Sequence, residues 1–107
     1  MATIYKFVSG DTSPQIVVTL TREDGTTVDL TEATVYFHIR AKGSPDVTLT
    51  KTAVLSDAPN GTFAIAWVTG DLDLAAGAYD AEIEVVTSEY RETVFDLIQL
   101  QIRDDIA

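Results

Sequence analysis

Apolar and polar side chains alternate with a period of two along most of the chain. That is the mark of strands resting one face on a core, because successive side chains of an extended backbone project to opposite sides. Over residues 33–40, Ala33, Val35, Phe37 and Ile39 interleave with Thr34, Tyr36, His38 and Arg40, predicting a half-buried strand. The alternation is clearest over 79–86, where Tyr79, Ala81, Ile83 and Val85 are the inward set and Asp80, Glu82 and Glu84 begin the outward one. Phe63, Ile65 and Trp67 alternate with Ala64, Ala66 and Val68, a heavy face and a light one, which predicts a central strand covered on both sides. A further strand is expected over 15–20, with Ile16, Val18 and Leu20 inward. Weaker, mixed patterns over 3–8 and 47–55 predict edge strands. In the last run, 92–103, the parity shifts near Leu97, predicting a bulge or a change of sheet.

Turn chemistry separates these runs at intervals of about ten residues, the spacing of sandwiches and barrels. Asp24-Gly25 and Pro59-Asn60-Gly61 supply the positive φ that a tight turn needs. Lys42-Gly43-Ser44-Pro45 predicts a loop, and Ser88-Glu89 the turn of a last hairpin. Residues 71–76 predict one helical turn, with an aspartate capping its start and Gly77 ending it. No linker, repeat or second domain interrupts the pattern. The expected fold is all-β: an immunoglobulin-like antiparallel β-sandwich of about seven strands, one domain over residues 1–107.

Composition narrows the classes of function. The chain has 107 residues, of which 46% are hydrophobic and 22% charged, enough apolar material for a domain that folds alone. Seventeen acidic against seven basic residues give a net charge of -10. This is the wrong sign for neutralising nucleic-acid phosphates or sitting on an anionic membrane, so neither partner is expected. The same charge favours solubility, repulsion between copies and docking onto a basic surface. Cysteine is absent, which removes disulfides, thiolate zinc sites and cysteine nucleophiles and fits synthesis in a reducing cytoplasm. No apolar stretch approaches the roughly 18 residues needed to cross a bilayer, and residues 1–7 carry no signal-peptide pattern.

The candidate chemistry is sparse. A nucleophile triad needs a histidine near a serine or cysteine and an orienting acid. The single histidine, His38, lies on the outward side of its strand between Tyr36 and Arg40, as part of a sheet surface or contact patch rather than as a general base. Asp80, Glu82 and Glu84 set three like charges on one strand face. They could hold a hard cation such as calcium or pair with basic residues on a neighbouring strand or partner chain. The ordinary alternative is a solvated, edge-protecting face. Asp71 and Asp73 with Gly77 behind them do not make a calcium loop, since Ala75 stands at the third acidic position and no glutamate follows. Trp67, at strand spacing with Phe63 and Ile65, belongs to the core rather than to a sugar platform. The six glycines stand singly at turns, so no phosphate loop is present. No catalytic, cofactor-binding or metal-ligating residue is assigned, and an enzyme is not expected. Tyr36, His38, Arg40, Asp80, Glu82 and Glu84 are the candidate interface residues.

Several segments carry a resemblance that covers nearly the whole chain. They are Phe7-Val8-Ser9-Gly10-Asp11-Thr12 before the strand at 16–20, Asp24-Gly25 then Val28-Asp29-Leu30-Thr31, and Val35-Tyr36-Phe37-His38-Ile39-Arg40. Gly61-Thr62-Phe63 leading to Trp67 follows, then Ala76-Gly77-Ala78-Tyr79 and Ala81-Glu82-Ile83-Glu84-Val85. In order and spacing these resemble the N-terminal domain of phage baseplate upper proteins and related small tail- or baseplate-associated proteins. The resemblance implies a phage or prophage structural protein of the tail or baseplate, made in the host bacterial cytoplasm and carried in the virion. Such a protein works through contacts with other phage structural proteins, with a homo-oligomer open beside docking. Baseplate upper proteins continue into a helical and fibre-binding region, so a chain of this length implies a free-standing component or adaptor. The alternative class is a ligand-binding sandwich module taking carbohydrate or using calcium, because fold alone does not decide between them.

Overall fold

The computed structural model describes residues 4–13, 15–22, 24–94 and 98–106. Among them are nine strands, β1 (Ile4–Val8), β2 (Ile16–Thr19), β3 (Thr34–Ala41), β4 (Leu49–Thr52), β5 (Val54–Asp57), β6 (Thr62–Ile65), β7 (Gly77–Val86), β8 (Arg91–Thr93) and β9 (Ile98–Arg103). They form a sandwich of two sheets. The larger runs β1-β9-β7-β3-β4, with β8 also paired to β7, and the smaller runs β2-β6-β5.

The period-two alternation sets the register. Across β3 and β7 the inward pairs are Val35 with Val85, Phe37 with Ile83 and Ile39 with Ala81, while Tyr36 meets Glu84, His38 meets Glu82 and Arg40 meets Asp80 outside. From the smaller sheet, Ile16 opposite Ile65 and Val18 opposite Phe63 complete the core. A one-residue slip of either pair would turn the apolar set to water, so burial fixes the pairing. Phe37, Phe63, Ile16, Leu30, Ile39, Ile65, Leu72 and Leu100 are sealed from solvent. Trp67 is core, as expected, with Phe7 and Phe37 meeting it edge-on at 5.5 and 6.2 Å between ring centres. The edge and centre expectations also hold: β1, β4 and β5 are edges, and β6 is the middle strand of its sheet. Ala64 on its light face is buried, whereas Ala66 beyond its end is exposed.

The seven expected strands become nine partly because the run over 47–55 is two strands in different sheets. The buried Ala53 lies between them, and its amide donates to the Val35 carbonyl at 2.8 Å as the chain crosses from β4 to β5. Likewise, the run over 92–103 holds β8 and β9; the shift expected near Leu97 lies outside the described residues. The arrangement also departs from a purely antiparallel one, since β1 pairs parallel with β9, from Ile4 beside Gln99 to Val8 beside Arg103.

The helical turn expected over 71–76 is not formed. The short helix is instead a 3-10 turn at Ala58–Asn60, closing the β5–β6 hairpin. The reason is competition for the backbone of the 70s segment. Gly10 N–H donates to the Leu72 carbonyl, Ser9 Oγ to that of Leu74 and Tyr79 OH to that of Ala75. A helical turn there would need the Leu72 carbonyl for the amide four residues on, and the other two bonds hold the residues that follow in a non-helical path. Leu72 is meanwhile drawn fully into the core.

Asp71 likewise turns its carboxylate backwards. It accepts from the Val68 amide at 2.8 Å and from Lys51 Nζ at 2.7 Å. Lys51 sits opposite Phe37 on the inward side of β4 and covers the sandwich edge with its stem. Burial pushes the Asp71 carboxyl up, but Lys51 and the Val68 amide outweigh it and hold the group below its ordinary value of 3.8. A carboxyl lowered on folding adds stability above its unfolded pKa, and that contribution is lost as pH falls through the folded value. The Tm difference between wild type and Asp71→Asn is therefore expected to be constant above about pH 5 and to shrink as pH falls below the ordinary carboxyl range. Thermal melts of both proteins over that range check this; a difference that grows in acid would contradict it.

Candidate functional site

All six candidate interface residues fall on the outer face of the larger sheet, on the adjacent strands β3 and β7. Their common face follows from alternation, since each is two residues from the next on its own strand. The acidic strand is not an edge: β7 lies between β3 and β9, so its carboxylates do not serve as edge protection.

The three carboxylates have become chemically distinct. Glu84 is held from two sides, by an ion pair with Arg91 Nε at 3.2 Å and a hydrogen bond with His38 Nε2 at 3.2 Å. A carboxylate only accepts, so Nε2–H of His38 donates to it. In the neutral ring, Nδ1 then accepts from the Thr50 hydroxyl at 2.9 Å. The Tyr36 ring stacks on the imidazole, with 6.1 Å between centres and an interplanar angle of 23°. Tyr36, His38, Thr50, Glu84 and Arg91 thus form one ordered polar cluster. The sequence reading missed Thr50 and Arg91, which come from β4 and β8. The available signal was the Ser88-Glu89 turn, which folds β8 back beside β7 and brings Arg91 within reach of Glu84.

Glu82 is exposed and has no ion pair among the described residues. Asp80 is the opposite case: only 9% of it is exposed, yet no hydrogen bond or ion pair reaches its carboxylate among the described residues. Its strand neighbours are Arg40 on β3 and Gln99 on β9. Its carboxylate is not sealed in, because no buried side-chain oxygen among the described residues lacks a partner. It borders two clefts instead. The first, of about 210 Å³, runs from His38 and Arg40 past Asp80 and Glu82 to Pro45 and Val47; the second lies towards Ile4, Lys42 and Gln99. Small-molecule sites usually occupy about 300 Å³ or more, so the first cleft is the size of a side-chain socket. Among the described residues, no three histidine, cysteine, aspartate or glutamate side chains gather where they could hold one metal ion. Nor is any helix there long and apolar enough to cross a membrane.

A sandwich bearing a cross-strand polar cluster on one open sheet face fits the baseplate resemblance. A comparison with family models makes that firm, as the model of the BppU N-terminal domain, the N-terminal domain of the baseplate upper protein, matches residues 1–107. The chain belongs to the BppU N-terminal domain family. No curated protein gives a significant match. Membership makes this a phage baseplate-associated structural domain and implies a place in the virion tail, contact with other phage structural proteins and a non-enzymatic role. Within this BppU-type domain, β3 and β7 pair along the whole length of β3, from Thr34 beside Val86 to Ala41 beside Tyr79, and carry that face between them.

Proposed function

We propose that this domain is an assembly element of the phage tail or baseplate that docks onto another virion protein through the outer face of β3 and β7. The observation that carries the reading is the convergence of Tyr36, His38, Arg40, Asp80, Glu82 and Glu84 on that one face. Family membership supports the setting. The face combines a stacked aromatic pair, an ordered charge cluster and unpaired carboxylates, the mixture of apolar surface and directional polar groups used by specific protein contacts. A net charge of -10 opposes close approach of copies and favours a basic partner. Trp67 is buried, which leaves no exposed tryptophan to act as a sugar platform.

The test is incorporation into particles. In phage carrying the double variant Tyr36→Ala, His38→Ala, mass spectrometry of purified virions should show at least about a tenfold loss of this protein, the effect of removing a central contact. Circular dichroism of the purified variant should be unchanged, because both side chains point away from the core. Wild-type absence from intact virions, or full incorporation of the variant, would refute the docking role.

A further inference from the structure

We propose that the cleft beside Asp80 is a socket for one basic side chain, an arginine or lysine, presented by a different, basic protein of the virion; this rests on the docking reading above.

Three observations lead to it. First, Asp80 is only 9% exposed as a residue, and its carboxylate, still open to water, can be satisfied further by a charged partner. Asp80 has no such partner among the described residues, although its oxygens open into the cleft. Second, three basic groups around this face are committed elsewhere, His38 and Arg91 to Glu84 and Lys51 to Asp71, and Arg40 and Lys42, which border the clefts beside Asp80, make no ion pair with it. Glu82, two residues along the same face, is left as a second unpaired carboxylate at the cleft. Third, the far wall is apolar, formed by Pro45 and by Val47, which is 58% exposed. A long basic side chain is amphipathic in the matching sense, with a charged head for Asp80 and Glu82 and a methylene stem for Pro45 and Val47.

Arg40 is the one cation lining the cleft, and it opposes an incoming positive charge. It lies opposite Asp80 in register but makes no ion pair with it, and its side chain is exposed. Arg40 therefore acts as a weak competitor whose removal should strengthen binding. A metal ion is a poorer occupant, because no third acidic or histidine ligand joins the two carboxylates among the described residues. A second copy is disfavoured by the overall charge of -10.

The probe is N-acetyl-arginine amide, with the uncharged citrulline analogue as control, titrated into the ¹⁵N-labelled full chain and followed by amide shifts. The arginine compound should move the amides of residues 38–40 and 80–82, and citrulline should move them at least about threefold less. Asp80→Asn should abolish the response, Glu82→Gln should weaken it and Arg40→Ala should strengthen it. Asp80→Asn loses no internal hydrogen bond, so its Tm should stay within about 2 °C of wild type, which separates binding from folding. Equal shifts for both compounds, or an undiminished response in Asp80→Asn, would overturn the socket. So would self-association on sedimentation that Asp80→Asn removes, since the occupant would then be a second copy. In virions, Asp80→Asn should reduce incorporation about tenfold. Full incorporation of Asp80→Asn beside loss of the Tyr36, His38 double variant would refute the socket and leave docking standing. Full incorporation of both would refute docking as well.

Discussion

Gly61→Ala is expected to destabilise the domain by about 3 kcal/mol or more, because two penalties coincide at this one position. Gly61 has φ +75°, in the left-handed region that side chains with a Cβ seldom adopt. A Cβ there would also lie 2.6 Å from the Val28 carbonyl oxygen and 2.9 Å from that of Leu20, both rigid backbone atoms. Neither can retreat cheaply. The Val28 amide donates to the Leu20 carbonyl, and the Leu20 amide donates to the Gly61 carbonyl at 2.9 Å. Those bonds tie the segment after β2 to the start of β6. Gly25→Ala is the control, since Gly25 has φ +89° but open space around it. It should cost only the conformational part, about 1 kcal/mol. Urea unfolding of both variants measures the difference, and equal losses would contradict the close approach at Gly61.

The second large effect is expected at Leu72. Leu72→Ala should cost about 3 kcal/mol, the usual range for emptying a sealed leucine site. This side chain is fully buried although it lies between β6 and β7 in a segment without regular structure. It is what pins the segment to the sandwich, helped by the bonds from Gly10, Ser9 and Tyr79 to the neighbouring carbonyls. A helical turn over 71–76 would predict the reverse, because alanine is the better helix former. Denaturant unfolding distinguishes the two, with Asp73→Ala as an exposed control that should change stability by less than about 0.5 kcal/mol.

The misread 70s segment shows what was legible in the chain and what was not. Strands β3 and β7 could be read residue by residue, because one face of each is buried and burial writes period two into the sequence. Trp67 could be assigned to the core for the same reason. The carbonyl partners of Leu72 and Leu74, by contrast, are Gly10 and Ser9, more than sixty residues away, and nothing local announces them. Asp71 looked like a helix cap because its locally useful role and its actual one use the same carboxylate. The crossing at Ala53 was hidden because an alanine between the β-branched Thr52 and Val54 fits one long strand as well as two short ones.

The site was legible to the same depth. Alternation placed Tyr36, His38, Arg40, Asp80, Glu82 and Glu84 on outward faces, and the structure brings the two strands together. Their inequality was not legible. Glu84 is neutralised only because β8 returns beside it with Arg91, and Asp80 is sunk because β3 and β9 crowd it from both sides. Those are matters of register between distant strands, which local pattern does not encode.

The parallel pairing of β1 with β9 also bears on mechanics. Tension applied between Ile4 and Arg103 would run along both strands in opposite senses, so their bonds would be loaded in shear. The five residue pairs from Ile4 beside Gln99 to Val8 beside Arg103 would share that load together. An antiparallel hairpin pulled from its open end instead parts one bond at a time. A load path of this kind suits a part that must stay folded while a particle is under strain.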